Sequence, residues 1–182
     1  MNTKLQFTAA IAAFTILARA SLTGAEEMPT LAKQLEPLRP FIGKTWKGPF
    51  RRSTPEKPMH DVAKWERALN GQAVRVLHSV NDGSYGGESI ITWNRKTERL
   101  EFHYFTTAGF FTQGTIQVEG NKMISHEIVT GSDEGITEVK ATTELLADGK
   151  MQSKSRYLKK GEWVDGHSVT YEPNPGAQVI FK

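Results

Sequence analysis

Five side chains carry most of the chemistry this sequence offers: Arg67, His78, Tyr104, His126 and Tyr157. Each lies in a run that alternates along the chain, and alternation sorts strand residues onto two faces. Val74, Val76, His78 and Val80 share one face. Ile124, His126 and Ile128 share another, as do Trp65, Arg67 and Leu69. Leu100, Phe102 and Tyr104 form a fourth set, which sends His103 outward with Glu101. Met151, Ser153, Ser155 and Tyr157 form a fifth, and His167 falls with Val169 and Tyr171. If these faces point inward, the interior is aliphatic and aromatic with a few polar groups. Buried polar groups cost free energy unless hydrogen-bonded, and a cavity holding water or a ligand satisfies them more readily than a solid core.

An inward Arg67 needs an anionic partner, and a ligand carboxylate fits a guanidinium bidentately. A one-residue slip would point it to solvent instead, or a nearby Glu would pair with it. His78 and His126 have the chemistry of a metal ligand, a haem ligand or a general base. Each stands alone on its run, with no His or Cys at ligand spacing, so a satisfied core histidine is the simpler reading. We expect no metal and no cofactor. There is no Gly-x-Ser-x-Gly, no His-Glu-x-x-His, no phosphate loop and no cysteine. Gly83 to Gly87 opens no helix and reads as a flexible loop. Asp133-Glu134 falls in a turn, where a solvated role is the default. Phe105, Phe110 and Phe111 flank the turn at Thr106 to Gly109 and either pack a barrel end or form an apolar lip.

The elements that must hold these residues are short. Leu31, Leu35 and Leu38 give one apolar stripe over Pro29 to Pro40, a helix of about two turns with Thr30 as its cap. Lys44 to Phe50 opens the sheet, and the proline-containing Arg51 to Pro58 is a loop. Turn signals then recur about every 8–12 residues. Asn70-Gly71, Asn81-Asp82-Gly83, Glu119-Gly120-Asn121 and Asp148-Gly149 are the clearest. They separate runs ending with Glu162 to Tyr171 and a short closing strand at Gln178 to Lys182. About ten strands joined by short turns imply antiparallel neighbours. The expected fold is therefore all-β: an antiparallel up-and-down barrel with a short N-terminal helix, closed to protect its edges. A sandwich is the alternative, but it wants longer crossovers.

With Gly43-Lys44-Thr45-Trp46 at the first strand, a helix before it and a meander after it, the chain resembles the calycin superfamily. That group holds lipocalins, fatty-acid-binding proteins and bacterial secreted lipocalin-like domains; Leu69-Asn70-Gly71 adds to the last likeness. Two residues separate Gly43 from Trp46, where the lipocalin signature has one. The resemblance implies a ligand-holding barrel, an interior arginine reading a carboxylate, and an arginine packed on the Trp, for which Arg156 is the candidate. It speaks to shape more than to chemistry. Trp46 itself reads as structural. A ring of its size buries roughly 200 Å2, several kcal/mol at about 25 cal/mol per Å2.

Residues 1–25 read as a secretory signal, with Lys4 ahead of an apolar run from Leu5 to Ala18. That run is short of the ~18 residues a membrane span wants. Cleavage falls after Ala20 or Ala25, and residues 26–182 form the lipocalin-like domain. Setting aside Lys4 and Arg19, the 23 basic side chains become 21 against 20 acidic. A near-neutral chain offers no electrostatic case for nucleic acid. It also has no cysteine for a disulfide or a lipid, which favours a free secreted or periplasmic destination. The functional expectation is a small, largely apolar or amphipathic ligand held inside the barrel. Two alternatives stand: a non-catalytic interaction module, and an isomerase or hydrolase whose His78, His126, Arg67 or Tyr157 converge on one point. Nothing in the sequence sets the oligomeric state.

Overall fold

A computed structural model describes residues 30–182. The signal expected over 1–25 lies outside the described residues. The fold is a closed, all-antiparallel barrel of ten strands. They are β1 (Lys44–Pro49), β2 (His60–Ala68), β3 (Ala73–Val80), β4 (Tyr85–Asn94) and β5 (Arg99–Thr106), followed by β6 (Phe111–Glu119), β7 (Lys122–Thr130), β8 (Ile136–Leu145), β9 (Met151–Lys159) and β10 (Glu162–Pro173). Each strand pairs with its neighbours in sequence. β1 and β10 close the ring through Trp46–Pro173, Lys47–Glu172 and the isolated bridge Phe50–Val169. Among the described residues no helix is long and apolar enough to cross a membrane.

The meander puts alternate connections at opposite ends. One end is plugged. The helix before β1 is a 3-10 helix, Lys33–Phe41, and Leu35 and Leu38 from the expected stripe are both 0% exposed. With Phe41 they pack into the core around Trp46 and Trp65; the Phe41 and Trp65 rings lie 5.2 Å apart. Pro37 and Pro40 lie inside it and, having no N–H, leave gaps in its hydrogen-bond ladder. Ala32 occupies the cap position in place of Thr30, and no side chain caps it. Trp46 is 0% exposed, as its structural role requires, although its Nε1 finds no acceptor. The cation over its ring is Lys44, at 5.5 Å. Arg156 faces out, donating to the Trp163 carbonyl and pairing with Asp165.

Two sequence assignments change. Gly86 and Gly87 belong to β4 and are not loop. Gln178 to Lys182 adds no strand; the tail lies over β3 and β4, where the Ile180 amide donates to Ser79 Oγ at 3.0 Å. β1 therefore closes against β10 alone.

Candidate functional site

The barrel encloses a hollow of about 1070 Å3. Strand direction divides its wall. Several inward-facing sets are apolar toward the plug: Trp65 late in β2, Ile91 late in β4, and Met123 and Met151 opening β7 and β9; β8 runs the other way, from Ile136 and Val139 to Thr143. Toward the mouth the polar groups Asp61, His78, Tyr85, Tyr104, Glu127 and Tyr157 enter the wall, beside the apolar Val80, Phe110, Val129, Ile136 and Val139.

A hydrogen-bonded chain crosses the mouth half. Tyr171 donates to Asp61 Oδ2 at 2.7 Å. Asp61 Oδ1 meets His78 Nδ1 at 2.9 Å, His78 Nε2 meets the Tyr104 hydroxyl at 2.7 Å, and Tyr104 meets Tyr85 at 2.9 Å. Asp61 is only 3% exposed, so it needs both of its donors. With a neutral imidazole the proton directions follow: Tyr85 donates to Tyr104, Tyr104 to His78, and His78 to Asp61. Burial raises the pKa of Tyr104, and the neighbouring Tyr85 adds to the shift. Burial, then Asp61, raises that of Tyr171. These hydroxyls stay protonated, so the chain is built to bond and not to supply a tyrosinate. Gly87 makes room for it. A Cβ there would collide with the Tyr104 ring and the Phe105 carbonyl.

Next along the belt, Thr112 pairs across strands with Tyr104 and donates to Glu127 Oε2 at 2.9 Å. Glu127 is enclosed by protein yet keeps surface along the hollow. Burial pushes its carboxyl pKa up, against the opposing bond from Thr112. Gly114 faces it across β6–β7 and carries no side chain to cover it. Further round, burial raises Tyr157 and its ring packs edge-on to His167 at 5.7 Å. Burial lowers His167, with Arg52 at the rim acting in the same direction.

Of the five residues read from the sequence, His78, Tyr104 and Tyr157 border the hollow. Arg67 does not. β2 runs from mouth to plug, so a position two beyond Trp65 has passed the cavity floor. Its Nε donates to the Thr30 carbonyl at 2.6 Å and fastens the N-terminal segment. His126 faces outward, paired with Glu138 at 2.7 Å. On β7 the inner set is Met123, Ser125, Glu127 and Val129. The expected convergence of His78, His126, Arg67 and Tyr157 is thus absent. Sequence reading missed Asp61, Tyr85, Thr112 and Glu127. Asp61 was findable, because it shares the parity of Ala63 and Trp65; Glu127 was hidden by a more apolar outer face.

These features define a class: a closed ten-strand barrel around a hollow with a largely apolar floor and a belt of polar groups nearer the mouth. Among solved structures it is similar to Rv2717c from M. tuberculosis, with TM-score 0.61 and 14% identity over 80% of this chain and 99% of that one. At that identity the likeness carries the fold. No family model matches the chain, and no curated protein matches it.

Proposed function

We propose that this protein is an exported, lipocalin-like container of the calycin kind, holding one small, amphipathic, largely apolar molecule. The observation that carries the reading is the hollow of about 1070 Å3 with its largely apolar floor and polar belt. Its size stands at the upper end of the roughly 300–1,000 Å3 range of small-molecule pockets. An apolar tail would lie over Trp65, Ile91, Met123 and Met151 near the plug. A polar head would reach His78, Tyr85, Tyr104 and Tyr157 at the mouth. The hydrogen-bonded chain from Tyr171 to Tyr85 holds that polar wall rigid, which lowers the ordering cost of binding.

The test is native mass spectrometry of protein purified from its own host, with N-phenyl-1-naphthylamine as a neutral fluorescent probe. We expect a small-molecule adduct and saturable, blue-shifted dye fluorescence, weakened when Ser125→Trp narrows the hollow. Absence of both the adduct and saturable dye binding overturns the reading. For export, N-terminal sequencing of the mature chain should begin at Ser21 or Glu26; a chain retaining Met1 in the cell overturns that part.

A further inference from the structure

We propose that the hollow selects a ligand whose head is a basic, hydrogen-bond-donating nitrogen, seated at Glu127. This rests on the container reading and replaces the carboxylate partner that an inward Arg67 would have implied. Three observations carry it.

The first is Glu127 itself. Thr112 supplies one bond, to Oε2; among the described residues no hydrogen bond reaches Oε1, and Glu127 lines the hollow. A charged acceptor enclosed in this way gains most from a cationic donor, because charge-assisted bonds are about twice as strong as neutral ones. The second is the direction of the hydroxyl chain. Tyr85 spends its proton on Tyr104, so what it offers the hollow is oxygen lone pairs. Belt members on both sides of Thr112 are therefore acceptors waiting for donors. The third is the charge around the hollow. Asp61, Glu127, Asp133, Glu134 and Asp165 border it, against Arg52 and Lys159, and Lys159 is paired with Glu134 at 3.1 Å. Both fixed cations come from the mouth: Arg52 follows β1 and Lys159 ends β9. A carboxylate head would meet carboxylates in the belt with no guanidinium or ammonium beside it. An ammonium head would meet Glu127 and the Tyr85 oxygen.

Three ligands with the same tail separate this from the container reading: dodecylamine, dodecanol and dodecanoate, each displacing N-phenyl-1-naphthylamine from the unaltered protein. We expect the amine to bind tightest and the carboxylate weakest. The amine should lead the alcohol by about tenfold or more, the size of one charge-assisted hydrogen bond. In Glu127→Gln that lead should disappear while dodecanol binding stays level. The ranking on unaltered protein decides the matter even where the variant folds poorly. Dodecanoate binding as tightly as dodecylamine overturns the proposal. So does an amine lead that survives Glu127→Gln, which would place the attraction at the rim acids Asp133 and Glu134. If the dye itself fails to bind, the container reading falls instead.

Discussion

Asp61 accepts a hydrogen bond from Tyr171 on β10 and meets His78 on β3 while itself belonging to β2. One buried carboxyl thus ties three strands, two of them on opposite sides of the β1 closure. Removing a donor from such a group is costly, because the acceptor cannot turn to water. Tyr171→Phe keeps the ring and deletes only the hydroxyl. It should destabilise the barrel by about 1–3 kcal/mol, read as a lower urea midpoint with an unchanged slope. An unchanged midpoint would mean that Oδ2 finds another donor and that the inter-strand tie is not needed. Glu127 is the contrasting case. It has a single donor among the described residues, and the residue itself lines the hollow. The first carboxyl serves the wall and the second serves whatever enters.

At the scale of elements, the closure is the thin place. β1 and β10 share two ladder pairs and one isolated bridge, whereas β2 and β3 pair along the whole strand. Gly48 lets the two backbones approach: a Cβ there would collide with the Thr170 carbonyl and lie 2.9 Å from Tyr171 Cα. Gly48→Ala should cost about 1–3 kcal/mol through forced strand separation. Its ends are the most distant in sequence, so closure should form late in folding. The loss should then appear chiefly as faster unfolding. A chevron in which the folding arm slows as much as the unfolding arm quickens would overturn that order. This architecture was largely legible. Strands alternate, and turns such as Asp148-Gly149 announce themselves, so ten strands and a lead-in helix followed from pattern alone. What failed was the choice of face on β7. Ile124 and Ile128 point outward, 37% and 46% exposed, and the Phe105 and Phe111 rings, 6.3 Å apart, are exposed nearby. A barrel whose lumen is partly polar breaks the rule that the apolar face is the inner one. Arg67 failed differently. Its face was the right parity, but parity says nothing about how far along a strand the cavity reaches.

For the molecule as a whole, net charge is small: the chain has 23 basic and 20 acidic side chains. The pH dependence of stability should therefore be set by individual shifted groups: the surface carboxylates Glu36, Glu66 and Glu101, held down by their hydrogen bonds, and the groups the barrel encloses. Two of them act in opposite directions. Glu127 is raised above its ordinary 4.5 by burial. Between 4.5 and that raised value the native state holds more proton than the unfolded chain, so stability falls as pH rises through the interval. His167 is lowered below its ordinary 6.5 by burial and by Arg52. Between 6.5 and that lowered value the unfolded chain holds more proton, so stability falls as pH drops. The parent protein should show a curve flattened by this opposition. Glu127→Gln should gain stability relative to the parent above the raised carboxyl value and lose that gain as pH falls toward 4.5. His167→Asn should lose the acid-side decline that begins below 6.5. Urea midpoints across this span, for the parent and both variants, read the two slopes separately. A Glu127→Gln curve parallel to the parent at every pH would show that the carboxyl titrates alike folded and unfolded. Glu127 would then be a solvated group, without the enclosure that makes it a seat for a cation.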